Sequence, residues 1–194
     1  MPRSVQRMEK IRGVLARRQP GLTVVLENIH DPHNVSAVFR SCDAVGVMRV
    51  ELLYTHEHFP RIGRKSSSSA NKWLERRKHT SVDACYATLR SEGFRIYATH
   101  LNTQALSLYE LNLTQHVALV FGNEHRGVSD EAAKKADANF QIPMVGMIQS
   151  LNVSVAAAVC LYEALRQRLA HGDLDRPKLS RDKLATLYDD WIKR

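Results

Sequence analysis

Runs of apolar and β-branched residues alternate along the chain with stretches in which apolar residues recur three and four positions apart. The first pattern is typical of buried strands and the second of amphipathic helices. Strands are predicted at 22–29, 47–54, 94–99, 117–121 and 140–142. Helices are predicted at 4–18, 33–45, 81–92, 129–136, 150–170 and 180–193. This alternation predicts an α/β fold in which helices flank a mostly parallel sheet.

The segments between and beyond these elements complete the predicted organisation. Pro20-Gly21 is expected to end the first helix, and residues 55–72, which lack an apolar period, are expected to form a mobile loop. We expect one domain over 1–194, extended by a basic N-terminal helix (about 1–20) and a C-terminal helix (about 180–193). The apolar stripe of the last helix is expected to pack rather than to bind a ligand: Leu184, Leu187, Tyr188, Trp191 and Ile192.

Composition excludes several classes of protein. With 44% hydrophobic and 25% charged residues, the chain resembles ordinary globular proteins rather than disordered or fibrous ones. The cysteines Cys42, Cys85 and Cys160 form no CxxC pair and make a poor disulfide framework, which favours a reducing, cytoplasmic location. The charged N-terminus predicts no signal peptide, and the lack of any run of about 18 apolar residues predicts no membrane span.

The net charge of +8 is concentrated in two short segments. Residues 1–18 contain six Lys or Arg against one Glu, and residues 61–78 contain seven against one Glu. Clusters of this kind favour a polyanionic partner such as nucleic acid. Basic faces that serve only solubility would give the same pattern.

Several common chemistries lack their sequence signatures. The chain has no GxxxxGK[ST] phosphate loop, no GxGxxG after a strand and no GxSxG nucleophile turn. His56-Glu57-His58 lacks a third ligand at usable spacing and is interpreted as a set of surface residues. No metal site is therefore predicted.

The first candidate functional segment, 30–47, places polar residues on a helix that follows a buried strand. Asn34 lies at the predicted start of this helix, and Ser36, Arg40 and Asp43 share a face that differs from its apolar stripe. These residues could belong to a binding site at the carboxyl ends of the strands. They could equally be a helix N-cap and a solvated arginine.

Two further segments place glycines and polar residues after predicted strands. The tripeptide 122–124 (Gly-Asn-Glu) follows a buried strand, either as a ligand loop or as a tight turn before an N-cap at Ser129. Ser150, Asn152 and Ser154 precede a helix rich in Ala and Val. This cluster suits a ligand that carries oxygen or negative charge, although simple capping by Ser150 would explain it too.

The three segments resemble, in order and spacing, the motifs of the SpoU/TrmH family of RNA ribose 2′-O-methyltransferases, within the SPOUT superfamily. The matching patterns are Asn-x5-Arg, Gly-x-Glu-x-x-Gly and IPM-x-G-x-x-SLNVS. The resemblance covers nearly the whole chain and is strongest to the branch that methylates guanosine 18 in the D-loop of tRNA. It implies a homodimer, a C-terminal trefoil knot, and S-adenosylmethionine as the donor of a methyl group to a ribose 2′-hydroxyl. Periodicity alone would not predict a knot.

The same resemblance implies roles for individual residues. The family's central catalytic arginine matches Arg40, which we expect to stabilise the developing oxyanion rather than act as a base, because a guanidinium stays protonated. The other catalytic candidates are Asn34, Glu124, Ser150 and Asn152. The implied donor-binding residues are Thr99, Leu101, Gly122, Ile142, Met144, Ser150 and Leu151. Contacts to tRNA are expected from Arg7, Lys10, Arg17, Arg18, His33, Arg64, Lys65, Arg166 and Arg168.

The sequence departs from the family pattern ahead of the tryptophan. Ser69-Ala70 precedes Asn71-Lys72-Trp73, where the family often has Gly-Ser, which leaves open how this loop docks RNA. Trp73 is expected to pack rather than to stack on a base.

Three alternative functions remain. A same-family enzyme acting on ribosomal RNA or another tRNA position would share all of these motifs, although the first motif's closeness to the start of the chain favours tRNA. A non-catalytic RNA-binding protein on the same fold would not need Arg40, and the intact motif set argues against it. An anion-binding metabolic enzyme would have no RNA affinity, and the two basic segments argue against that.

Overall fold

A seven-stranded sheet forms the centre of the protein. The computed structural model describes residues 4–60 and 70–194. The helices are α1 (Val5–Ala16), α2 (Pro32–Ala44), α3 (Val82–Ser91), α4 (Asp130–Lys135), α5 (Val153–Ala170) and α6 (Arg181–Trp191). The strands are β1 (Gln19–Glu27), β2 (Val47–Leu53), β3 (Glu75–His79), β4 (Arg95–Thr99), β5 (Leu106–Ser107), β6 (Val117–Phe121) and β7 (Ala138–Gln141). They lie in the order β3-β2-β1-β6-β4-β7-β5, and each neighbouring pair is parallel. The predicted parallel α/β architecture is thus confirmed.

Helices cover both faces of the sheet, because its central strands are apolar on both sides. All five residues of β6 are buried, as are eight of the nine in β1. The apolar stripes of α2 and α5 pack on one face, and those of α3 and α4 pack on the other. This two-sided burial explains why β1 and β6 have continuous apolar sequences rather than alternating ones.

Strand β3 is one of two strands that the hydrophobic pattern did not predict, the other being the two-residue β5. Its sequence, Glu-Arg-Arg-Lys-His, has no apolar position, yet it pairs with β2 at the sheet edge. The fully buried Glu51 of β2 accepts hydrogen bonds from Arg77 at 2.8 and 2.9 Å and lies 2.7 Å from His79 Nε2. Burial by itself would raise the pKa of Glu51, but hydrogen bonds from Arg77, His79 and Arg49 outweigh it and hold that pKa below its ordinary value.

The first helix ends earlier than Pro20-Gly21, and that prediction was wrong. Helix α1 ends at Ala16, and Pro20 and Gly21 lie inside β1. The carbonyl oxygen of Gly21 accepts a hydrogen bond from a buried arginine, Arg168, at 2.8 Å. A side chain from the end of α5 thus holds this segment in the sheet.

The terminal helices pack against each other beside the sheet. Ile11 and Leu15 of α1 meet Leu187 and Trp191 of α6 in a separate apolar cluster. Trp73 joins this cluster, with its ring centroid 4.8 Å from that of Trp191. The packing predicted for the apolar stripe of α6 and for Trp73 is confirmed.

Candidate active site

The loops that follow β4, β6 and β7 surround a cavity of about 620 Å³ beside the start of α5. This volume lies within the range of small-molecule and cofactor sites. All seven residues predicted to bind the methyl donor line it: Thr99, Leu101, Gly122, Ile142, Met144, Ser150 and Leu151. Because the strands are parallel, their carboxyl ends meet at this edge of the sheet, which is where α/β proteins bind ligands.

Gly122 is required by the shape of the loop that follows β6. A Cβ atom at this position would lie 2.1 Å from the carbonyl carbon and oxygen of Gly127 and from the nitrogen of Val128. Gly127 itself has φ +69°, a conformation that favours glycine. The Ser129 hydroxyl accepts a hydrogen bond from the backbone N–H of Ala132 and caps α4. The segment is therefore both a tight turn and a wall of the cavity.

A chain of three side chains joins the three candidate segments. The Asn34 amide donates to Glu124 Oε1 at 2.9 Å, and its oxygen accepts from the Asn152 amide at 3.0 Å. The carboxylate of Glu124 also accepts from the backbone N–H groups of His30 and Asp31, each at 3.1 Å. Residues far apart in sequence are thereby fixed in one network at the edge of the cavity.

Glu124 is an acceptor in this network rather than an acid. Burial by itself would raise its pKa, but hydrogen bonds from Asn34, His30 and Asp31 hold that pKa below its ordinary value. The ionised carboxylate therefore ties the loop after β6 to the start of α2.

Two capping roles left open by the sequence fall to other residues. Asp31 caps α2, accepting from His33 N at 2.7 Å, and Asn34 lies inside the helix with 8% of its surface exposed. At α5 the cap is Asn152, whose oxygen accepts from Ser154 N at 2.8 Å, while Ser150 lies before the helix and lines the cavity.

Arg40 lies on the exposed surface of α2 and does not line the cavity. Within residues 4–60 and 70–194, nothing forms a hydrogen bond or ion pair with its guanidinium group. The predicted polar face around it is divided: Ser36 is buried, and Asp43 pairs with Arg18 at 2.5 Å. Arg40 is thus the member of this face whose charge remains available to another molecule.

Comparison with known proteins agrees with this geometry. Residues 21–162 match the family model of the SpoU rRNA Methylase family. The chain belongs to the SpoU methylase family.

Two proteins illustrate the likeness over nearly the full chain. The chain is 45% identical over 192 residues to the tRNA (guanosine(18)-2′-O)-methyltransferase of Thermus thermophilus, covering 99% of this chain and 98% of that protein. The crystal structure of the Aquifex aeolicus TrmH/SpoU tRNA modifying enzyme superposes with a TM-score of 0.89 at 37% identity, covering 96% of this chain and 94% of that one.

A second SpoU structure was determined with its cofactor bound. The SpoU methyltransferase AviRb of Streptomyces viridochromogenes, in complex with AdoMet, is 25% identical and superposes with a TM-score of 0.69, covering 86% of this chain and 65% of that one.

The basic residues predicted to bind RNA in this SpoU methylase divide into exposed and buried ones. The exposed residues, where an RNA contact stays a prediction, are Arg7, Lys10, Arg17, His33 and Arg166. Arg64 and Lys65 lie outside the described residues.

Arg18 and Arg168 are buried and bonded within the fold, so they are poorly placed for the RNA contacts predicted from the sequence. Arg18 donates to the Val47 carbonyl at 2.7 Å, pairs with Asp43 and lies over the Trp191 ring, 4.9 Å from its centroid. Arg168 donates at 2.5 to 3.3 Å to Gln19 Oε1 and to the carbonyl oxygens of Leu113, Gly21 and Gln115. Both guanidinium groups hold the fold together.

Sequence reasoning missed two acidic residues that shape the site. Glu27 at the end of β1 accepts from Ser129 N at 2.9 Å and from its hydroxyl at 2.5 Å. Glu57, interpreted from sequence as a surface residue, has a side chain only 24% exposed and pairs with Arg126. Glu27 could have been noticed in the sequence, because it is a charged residue at the end of an apolar strand.

The described part of the chain has neither a cluster of metal ligands nor a membrane-spanning helix. In 4–60 and 70–194, no three or more His, Cys, Asp or Glu side chains are grouped so that they could hold a metal ion. No helix in those ranges is long and apolar enough to cross a bilayer.

Proposed function

We propose that this chain transfers a methyl group from S-adenosylmethionine to the ribose 2′-hydroxyl of guanosine 18 in the tRNA D-loop. The observation that carries the proposal is the convergence of all seven predicted donor-binding residues on one cavity. The Glu124–Asn34–Asn152 network fixes the edge of that cavity. The family's chemistry and the substrate in the name of the Thermus thermophilus relative support the same reaction.

The cavity fits S-adenosylmethionine in size and in chemistry. Its volume of about 620 Å³ accommodates a nucleoside with an amino-acid tail, and Gly122 is one of its lining residues. Thr99, Ile142 and Leu151 would hold the molecule between the loops after β4 and β7 and the start of α5. When bound, it supplies a methyl group activated by a sulfonium.

Arg40 provides the positive charge that the attacking hydroxyl requires. A ribose 2′-hydroxyl is a poor nucleophile near neutral pH, so holding it in place and stabilising its developing negative charge both accelerate attack. The guanidinium presents several N–H donors in a fixed fork, so it can contact an RNA phosphate and the reacting oxygen together. Its freedom from described partners leaves it available for this role.

The proposal includes a homodimer, the C-terminal trefoil knot of the family and a cytoplasmic location. Support for the dimer comes from exposed apolar side chains: Val145 and Met147 are fully exposed, and Val155, Tyr162 and Leu169, seven residues apart on α5, are about half exposed. Exposed apolar residues that share a helix face are typical of interaction surfaces. Sedimentation of the purified protein tests the dimer, and a dissociation constant above the cellular concentration would exclude it.

Methyl transfer to an unmodified tRNA transcript, with a transcript lacking guanosine 18 beside it, tests the activity. Label from S-adenosylmethionine is expected in the first transcript only. Label in both would assign another position, and the modified ribose would then be mapped. Tight tRNA binding without label would favour a non-catalytic RNA-binding role or a ribosomal substrate.

Arg40→Lys tests whether fork geometry matters beyond charge. We expect turnover to fall by a factor of about 100 or more, because an ammonium group cannot make the paired contacts of a guanidinium. Folding and donor binding should be unchanged, since Arg40 is exposed and lies outside the cavity. Near-normal turnover would exclude the proposed geometry.

A further inference from the structure

An ion pair at the mouth of the cavity joins loops that follow two different strands. Arg126, in the loop after β6, donates to Glu57 Oε1 at 2.7 Å, and Glu57 lies in the segment that follows β2. Arg126 also lines the cavity. Neither residue belongs to the Glu124–Asn34–Asn152 network, and the methyl-transfer proposal uses neither.

Glu57 is the fixed member of this pair. Its Oε2 lies 3.1 Å from His30 Nδ1, and its Oε1 also accepts from the buried Asn123 amide at 3.4 Å. Only 24% of its side chain is exposed. Contacts with His30, Asn123 and Arg126 together hold this carboxylate in one position.

Arg126 is the more exposed and less constrained member. Its side chain is 66% exposed, and its contact with Glu57 uses one nitrogen. No other side-chain hydrogen bond of Arg126 occurs within the described ranges, although its backbone N–H is held by Asn123 Oδ1 at 3.3 Å. An exposed single contact of this kind contributes little to stability and can be exchanged for a better one. A phosphate accepts two hydrogen bonds from an arginine at once.

We propose that Arg126 binds a phosphate of the RNA substrate at the mouth of the cavity and that Glu57 occupies its guanidinium until RNA replaces it. The carboxylate keeps the arginine at the place where it is needed, and it also disfavours binding of anything that cannot displace it. This inference rests on the proposed function, since it requires RNA to reach the donor cavity. The partner exchange breaks no covalent bond.

Three variants test the exchange by tRNA affinity over a series of salt concentrations. Arg126→Gln should weaken tRNA binding about tenfold and reduce the salt slope by about one, because one phosphate contact is lost. Glu57→Gln should tighten binding by about two- to fivefold, because RNA no longer competes with a carboxylate. The double variant should behave like Arg126→Gln alone, since Glu57 acts only through Arg126.

The ion pair between Glu131 and Lys135, 2.7 Å apart on α4, offers matched controls. Glu131→Gln and Lys135→Gln make the same charge changes on another surface. Their effects on affinity should be less than twofold. Effects equal to those of Glu57→Gln and Arg126→Gln would show that net charge alone is responsible and would overturn the proposal.

The Kd of S-adenosylmethionine distinguishes an RNA phosphate from the other anion that Arg126 could bind, which is the carboxylate of the methyl donor. We expect the donor's Kd to stay within about twofold of wild type in Arg126→Gln. A donor Kd raised tenfold with tRNA binding unchanged would assign Arg126 to the donor carboxylate and overturn the proposal. Failure of the proposed function would look different, because the wild-type protein would then methylate none of the transcripts.

Discussion

Replacing Asn34 by Asp puts a second carboxylate where an amide now donates to Glu124. The two atoms concerned, Asn34 Nδ2 and Glu124 Oε1, are 2.9 Å apart, and Asn34 is 8% exposed. The substitution hardly changes the volume of the side chain. It removes a charge-assisted hydrogen bond and replaces it with repulsion between like charges.

The expected cost follows from the separation. Two unit charges about 4 Å apart near a protein surface interact by about 4 kcal/mol. A carboxyl pair avoids this repulsion by retaining one proton, and about 4 kcal/mol corresponds to about three pH units. Between about pH 4 and pH 7, the folded variant should therefore still hold a proton that the unfolded chain has already released.

The two proteins should thus lose stability in different pH ranges: the wild type towards acid, and the variant as the pH rises above about 5. In the wild type the pKa of Glu124 is lowered, so its contribution is present above the ordinary carboxyl pKa and is lost as the pH falls. In Asn34→Asp the folded state binds the extra proton, so stability falls as the pH rises. Relative to wild type, the variant should lose about 2–3 kcal/mol between pH 5 and pH 8.

Urea unfolding at pH 5, 6, 7 and 8 measures this difference. Asn112→Asp is the matched control, because Asn112 lies in an exposed turn where its side-chain oxygen accepts from the backbone and hydroxyl of Thr114. An Asp can keep those contacts there. A stability difference between Asn34→Asp and wild type that does not change with pH would refute the pairing of Asn34 with an ionised Glu124.

Two further predictions concern the loop after β6 and the end of α5. Gly122→Ala should abolish S-adenosylmethionine binding in calorimetry, because its Cβ would overlap the backbone of Gly127 and Val128; a Kd within about threefold of wild type would contradict the tight turn. Arg168→Met should cost at least about 3 kcal/mol in urea unfolding, since several buried oxygens lose their donor. Exposed Arg166→Gln should leave stability unchanged, and equal losses for the two variants would contradict the burial of Arg168.

The elements that are stabilised by their own buried apolar residues were predictable from the sequence. Strand β6 was predicted with the same bounds as in the structure, because an apolar run of five residues followed by a glycine is too short for a typical helix. Strand β3 was missed, because its stability comes from pairing with β2 and from the buried Glu51 rather than from apolar residues of its own. The prediction that Pro20-Gly21 ends the first helix failed for a related reason. Hydrogen bonds from distant residues hold this dipeptide in β1, although its sequence is typical of a turn.

The lining of the cavity was also predictable, because the family motifs and the strand ends together place these residues at one edge of the sheet. The hydrogen bonds that join the motifs to one another were not predictable. Asn34 looked like a cap, and nothing in its neighbourhood in sequence indicates that its partners are Glu124 and Asn152. Such partners become visible only when the register of a parallel sheet is known, since that register sets which loops meet.

The sequence alone does not indicate whether a given arginine stabilises the fold or is free to bind RNA. A guanidinium group can be buried when its donors find carbonyl oxygens or an aromatic face, and Arg18 and Arg168 are stabilised in this way. Arg77 is paired with Glu51 and Glu92. Counting charges in a segment therefore overstates the phosphates it can contact. The salt dependence of tRNA binding should accordingly reflect the exposed cations alone, and a slope that requires Arg18, Arg77 and Arg168 as well would mean that these interior pairs open when RNA binds.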